Sequence, residues 1–356
     1  MLRVRRVSLL LGSLSALACS ESSTSPGTPD LTVFGVDPAS ARGVFVTDLG
    51  VLPGYDSSAA NAINDTGLVA GVSKWPGPAH ATLWQLGGAI TDLGVLPLGT
   101  YSVAQAINYG GVVVGYADTG AYSSRGFKWT PGVGMISLPV LNGGASSAAF
   151  GINNLGVVVG RSDSSDGGTY AARWDGLAVQ NLGWIPGSLY NVALGINSAG
   201  VAVGVSNYQA VRWSSPGVLS VLAVPAGFTF SVATAVNDAG EIVGYGWDGL
   251  TYRALFWRSG GAVVVLPPLS SGSNAMANAL NRSGNVVGWA RDASFNVHAV
   301  FWRGPTAPIE DLGVLAPYAL SMAAGINRRD EIVGVSVGGP GIQARATCWA
   351  FRRHAC

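Results

Sequence analysis

Charge is scarce in this sequence. Of 356 residues, 20 are Lys or Arg and 19 are Asp or Glu, so the formal net charge is +1 and charged residues make up 11%. That is less than half the usual share of about 25%. With no basic stripe to neutralise phosphates, nucleic acid is not expected as a partner. Helical periodicity is missing as well. No segment keeps apolar residues at a spacing near 3.6, which excludes a solenoid built from helix pairs. No apolar run approaches the length of about 20 residues that a membrane-spanning helix needs. No Gly-x-Ser-x-Gly elbow sits on a strand-to-helix turn, and no Gly-x-Gly-x-x-Gly joins a strand to a helix. No cofactor is expected, and a monomer is. Glycine, by contrast, is plentiful: 51 residues, about twice the ordinary 7% share. Without a collagen-like period of three, so much Gly means many turns and many short strands.

The first residues stand apart. "MLRVRR" is basic, "VSLLLGSLSAL" is an apolar run, and "ALAC" ends at Cys19. A basic start, a short apolar core and small residues before cleavage make a secretory signal over 1–18. A Cys directly after Ala18 resembles the lipobox of bacterial lipoproteins, in which the Cys exposed by cleavage is lipidated. The resemblance implies an exported protein held to the cell envelope by a lipid on Cys19. Residues 20–30, "SESSTSPGTPD", are polar and rich in Pro, Ser and Gly, so 19–42 reads as a flexible tether. The remaining cysteines, Cys348 and Cys356, fall within the last nine residues. In an exported protein they either close a disulfide or stay as two thiols.

"GINNLGVVVG" (151–160) looks at first like a phosphate loop, but it is one of seven copies. The others are "AINDTGLVAG", "AINYGGVVVG", "GINSAGVAVG", "AVNDAGEIVG", "ALNRSGNVVG" and "GINRRDEIVG". Their Asn residues are Asn64, Asn108, Asn153, Asn197, Asn237, Asn281 and Asn327, each followed seven positions later by Gly. A Trp closes every unit, from Trp84 to Trp349. A period of about 44 residues marks a propeller, solenoid or array. Each unit holds four short strand signals, the anatomy of a propeller blade. These strands are too short and too Gly-interrupted for a membrane barrel. The expectation for 43–356 is therefore an all-β, seven-bladed propeller of four-stranded blades. Copy seven lacks a fourth strand, while "GVFVTDLGVLP" (43–53) matches the fourth strands "AITDLGVLP" and "IEDLGVLAP". The N-terminal strand is expected to complete the last blade beside Trp349 and so close the ring.

Residue types fit these places. "AFGIN" and its six counterparts put Ala and Ala or Gly on one narrow face, as the innermost strand of a crowded ring requires. Asn-x-x-Gly makes the following turn, and Asp330, which replaces Gly in copy seven, is expected at positive φ. The pattern resembles the HAF-repeat family of bacterial exported proteins. "TDLGVLPG", the Asn-x-x-Gly unit, and "HATLW" and "HAVFW" carry the likeness over about residues 43–352, although Phe does not follow His-Ala here. The resemblance implies fold and location, and it brings no catalytic residues.

Chemistry is harder to find. His80 and His298 stand four residues before the blade Trp, where other copies have Arg125, Tyr170, Gln209, Arg253 and Arg345. All can donate a hydrogen bond, whereas a metal site does not accept Arg, so a structural donor is expected and no metal. His354 is a lone tail residue. Asp48, Asp92 and Asp311 share the Asp-Leu-Gly position, and Asp65 and Asp238 are turn residues, so none reads as an acid–base couple. "DSSDGG" (163–168) is either a hairpin loop or a weak calcium loop. The loops vary most. Those on one face carry Tyr55, Tyr101, Tyr190, Tyr318, Trp75 and Trp247, which either bind a carbohydrate or protein ligand or pack inward as anchors. The opposite face is expected to hold only tight turns. The functional expectation is a non-catalytic binding module, not an enzyme. The alternatives are a secreted hydrolase or lyase acting on polysaccharide, or a structural surface protein. A carboxylate pair at the channel mouth would favour the enzyme.

Overall fold

The computed structural model describes residues 43–120, 123–338, 343–352 and 356. The signal segment 1–18, Cys19 and its tether, and His354 lie outside the described residues. Seven antiparallel sheets of four strands each are arranged as a ring, and no helix occurs among the described residues. Six sheets are each one copy of the repeat, and the seventh is copy seven with one further strand. The innermost strands are Ser57–Ile63, Ser102–Ile107, Gly143–Ile152, Asn191–Ile196, Phe230–Val236, Ala275–Leu280 and Leu320–Ile326, in blades 1 to 7. Each contacts the innermost strand of the next blade, and that of blade 7 contacts blade 1.

Closure follows the expected route. Phe45–Asp48 is the outer strand of blade 7, antiparallel to Arg345–Ala350, with Val46 opposite Trp349. The first described strand thus completes the last sheet, and the ring presents no seam where a blade lacks its fourth strand. Cys348, in the neighbouring strand, is joined to Cys356 by a disulfide. Asp330 adopts φ 59°, as its substitution for a turn Gly requires.

Two repeated features explain why the blades fit. The first is the Trp. Six of the seven indoles are fully buried, and Trp129 is half-buried. Trp174 packs with Val114 and Leu138 of blade 2 and also with Ala149 and Val158 of its own blade, so the ring lies between sheets. Its Nε1–H donates to Pro139 O at 2.8 Å, and Trp213, Trp257 and Trp302 likewise reach back to carbonyls of the preceding blade's exit loop. Truncating a core ring of this kind costs about 3–5 kcal/mol.

The second is a bulge. In every blade the innermost strand shifts register against its neighbour, between Ala149 and Gly151 in blade 3 and at the equivalent place elsewhere. Opposite this bulge stands the Gly that follows the repeat Asn by seven residues. A Cβ on Gly160 would overlap the carbonyl oxygen of Ala148, and the six equivalent glycines meet the same obstacle. Sterics, not turn conformation, keep that position Gly. Across the blade boundary, a Cβ on Gly325 would stand 3.1 Å from Ala62 Cα, which is why the inner face carries only Ala and Gly. We expect Gly160→Ala to destabilise the fold by about 3 kcal/mol, the upper range for overpacking, in urea titration. Gly77→Ala, where a Cβ meets nothing, should leave the midpoint unchanged.

Candidate functional site

Each innermost strand ends at the repeat Asn, and all seven of these residues are buried. The Asn153 Oδ1 accepts the N–H groups of Leu155 and Val157, closing the turn. Its Nδ2 then donates to Asn197 O, in the next blade, at 3.0 Å. The same bond recurs at every junction: Asn64 to Asn108 O, Asn108 to Asn153 O, Asn197 to Asn237 O, Asn237 to Asn281 O, Asn281 to Asn327 O, and Asn327 back to Asn64 O. The distances span 2.9 to 3.2 Å. The carboxamides form a closed ring around the channel. Both ends of each are engaged in the frame, so ligand chemistry falls to their neighbours.

That ring encircles a cavity of about 210 Å³ on the turn face, among the tight turns expected there, each closed by a bond to its Asn carbonyl. The residue after each Asn lines its mouth: Asp65, Tyr109, Asn154, Ser198, Asp238, Arg282 and Arg328, in blade order. Arg282 and Arg328 are exposed neighbours on blades 6 and 7, flanked by Asp238 on blade 5 and Asp65 on blade 1. Asp65 Oδ1 accepts the Arg328 N–H and Asp238 Oδ1 the Ser198 N–H, each at 2.9 Å. Both acids are thus turn residues that brace a neighbouring turn, as expected, and both also line the channel mouth.

The loop face has a different chemistry. His80 Nδ1 bonds Asp92 Oδ2 at 2.8 Å in blade 1, and His298 Nδ1 bonds Asp311 Oδ2 at 2.7 Å in blade 6. Between them, in blade 7, Arg345 Nε stands 3.4 Å from Asp48 Oδ2. Arg253 bonds Asp248 at 2.8 Å, and Arg125 donates to Ala145 O. This position is a hydrogen-bond donor, as its residue types imply. His298 Nε2 also lies 3.9 Å from Asp292 Oδ2. The Asp311 hydrogen bond holds the His298 imidazole above its ordinary pKa, against partial burial. No group of three or more His, Cys, Asp or Glu suited to a metal occurs among the described residues. The "DSSDGG" segment is a hairpin loop whose carboxylates bond Thr169, Gly168 and Tyr170.

The loop aromatics fall into separate groups instead of one platform. Tyr55 lies 5.7 Å from the His80 ring, and its neighbour Asp56 N–H bonds Trp75 O. Tyr318 is within electrostatic reach of Arg345 and Asp48. Tyr190 and Trp247 instead join Tyr245 and Tyr252 over blades 4 and 5, with Trp247 4.9 Å from Tyr252. Tyr101 meets Tyr116 at 6.4 Å. Trp75, Tyr208 and Phe295 tip hairpin loops at φ of 61°, 62° and 66°, with 47%, 53% and 74% of their surface exposed. Bulky residues rarely adopt that conformation, and such strain clusters at functional sites.

No protein-family model matches the chain, and no curated protein matches it. Solved structures do resemble it. A catalytically inactive histidine variant of virginiamycin B lyase from Staphylococcus aureus superposes with a TM-score of 0.57 at 13% identity, covering 86% of this chain and 99% of that one. Oligogalacturonate lyase from Vibrio parahaemolyticus gives 0.53 at 11%, covering 90% and 96%. Puromycin hydrolase gives 0.54 at 13%, covering 82% and 53%. At such identities the likeness establishes the propeller fold. It also overturns the expectation of a non-enzyme, because the scaffold shared with this chain is one on which lyases and hydrolases are built.

Sequence reasoning missed two things, each with a visible signal. The residue after the Asn varies in chemistry between copies, from Asp, Tyr, Asn and Ser to Arg. In addition, His occupies the donor position only in copies that carry Asp-Leu-Gly, so each of His80 and His298 has a carboxylate opposite. The His298 pair sets a pH dependence. A folded pKa raised above the unfolded 6.5 contributes stability that is complete below 6.5 and fades as pH rises through the folded value. Denaturation midpoints at about pH 5.5 and about pH 8.5 should therefore differ more for wild type than for His298→Gln.

Proposed function

We propose that this is an exported, lipid-tethered propeller of the HAF-repeat kind that engages a saccharide chain on its loop face and cleaves it as a lyase or hydrolase. One observation carries this reading. Blades 6, 7 and 1 present, side by side, His298–Asp311, Arg345–Asp48 and His80–Asp92, with exposed Phe295 and Trp75 in the hairpin loops that lead into the two His-bearing strands. A carboxylate at Nδ1 fixes an imidazole in one tautomer and leaves Nε2 to exchange a proton. Sugar cleavage by either route needs such proton transfer, to the leaving oxygen or from a ring carbon. Exposed indole and phenyl rings offer stacking area for sugar rings. The oligogalacturonate lyase likeness supports a saccharide substrate only through the shared fold.

The mature protein should be tested against a panel of neutral and acidic polysaccharides, following both reducing ends and the ultraviolet absorbance of unsaturated products. Turnover is expected on at least one, with His298→Gln or His80→Gln lowering the rate by about 100-fold, the scale of acid–base catalysis. Silence across the panel, or undiminished turnover in both variants, overturns the reading. Membrane attachment rests on Cys19. Cys19→Ser should move the protein from the membrane to the soluble fraction, and wild type already soluble would refute the anchor.

A further inference from the structure

We propose that the turn-face channel mouth is a second, separate binding site, selective for a small hydroxylated monocarboxylate such as a uronic acid. At about 210 Å³ the cavity falls below the range of drug-sized ligand pockets, about 300–1,000 Å³, so it suits a small ligand and not a chain. Its chemistry is asymmetric. Arg282 and Arg328 sit on adjacent blades, and neither guanidinium forms an ion pair among the described residues. The neighbouring Arg329 is not part of this pair, because its guanidinium is taken by Glu331 at 2.7 Å. Two unpaired guanidiniums on one arc match the planar oxygens of a carboxylate.

The flanking acids refine the choice. Asp65 and Asp238 each hold a neighbouring backbone N–H through Oδ1, which fixes the carboxylate and leaves Oδ2 as an acceptor. Asn154 Oδ1 is likewise held by the Tyr109 N–H, which leaves its Nδ2 as a donor. An incoming monoanion meets two positive charges and two hydroxyl acceptors, with neutral Tyr109, Asn154 and Ser198 across the mouth. A phosphate dianion would bring a second negative charge against Asp65 and Asp238, a like-charge penalty that a uronate avoids. The buried Asn ring beneath fixes the spacing of the backbone positions from which these side chains rise, and binding orders the two exposed Arg side chains.

The experiment is calorimetric titration of the intact protein with sodium glucuronate, glucose and inorganic phosphate. Glucuronate should bind, with glucose weaker by about ten-fold or more, the worth of a charge-assisted hydrogen bond. The Arg282→Gln/Arg328→Gln double variant should lose glucuronate binding while melting like wild type, since both side chains are exposed and unpaired. His298→Gln should bind glucuronate normally, which separates this site from the loop face. Equal affinity for glucose and glucuronate, tighter binding of phosphate, or unchanged binding by the double variant overturns the proposal.

Discussion

The fold depends on one hydrogen bond made seven times. Each repeat Asn closes its own turn through Oδ1 and hands its Nδ2–H to the corresponding carbonyl of the next blade. Such a bond contributes only about 1 kcal/mol net, but leaving a buried partner unsatisfied costs about 1–3 kcal/mol. The joint from Asn327 to Asn64 has the same geometry as the other six. A ring closed by equal steps tolerates little variation in any one step. Every blade must therefore place its Asn at the same height and the same rotation, which is the role of the bulge and the Gly that faces it.

So uniform a frame leaves few places for function. The interior of each blade is committed to Ala, Gly, Val and Trp, and the Asn carboxamides are engaged at both ends. What remains is the residue after the Asn on one face and the hairpin and entering loops on the other. Both sets depart from seven-fold equivalence. On the turn face the charge gathers on blades 5, 6, 7 and 1, as Asp238, Arg282, Arg328 and Asp65. On the loop face the pairs of His or Arg with the Asp-Leu-Gly acid gather on blades 6, 7 and 1. The blades beside the closure are thus chemically specialised on both faces, while blades 3 and 4 are largely neutral at these positions. A scaffold shared with lyases and a hydrolase permits catalysis without specifying it, since the chemistry lies in grafted groups and not in the sheets.

Much was legible because the repeat is periodic. Blade number, the four strands of each blade, the inner position of "AFGIN", the positive φ of Asp330 and the closing strand at Phe45–Asp48 all followed from seven in-phase copies and one incomplete one. A local motif that recurs imposes the same sterics each time, so its meaning can be read by comparing copies. The loop aromatics were less legible, because residue type does not reveal direction. Tyr190 and Trp247 join a packed aromatic cluster, while Tyr55 lies against the His80 ring, Tyr318 lies near Arg345 and Asp48, and Trp75 points outward.

By itself the sequence determined the architecture: the repeat, its small inner face, its invariant Asn and Gly, and the strand that completes the ring. Only the tertiary structure decided which copies meet. Asp65 and the Arg328 backbone are 263 positions apart in sequence, yet they touch because seven equal rotations bring blade 7 round to blade 1. The meeting of two acids and two arginines at one channel mouth is a property of that rotation and of no single repeat. Distances along the chain cannot encode it until the ring is closed.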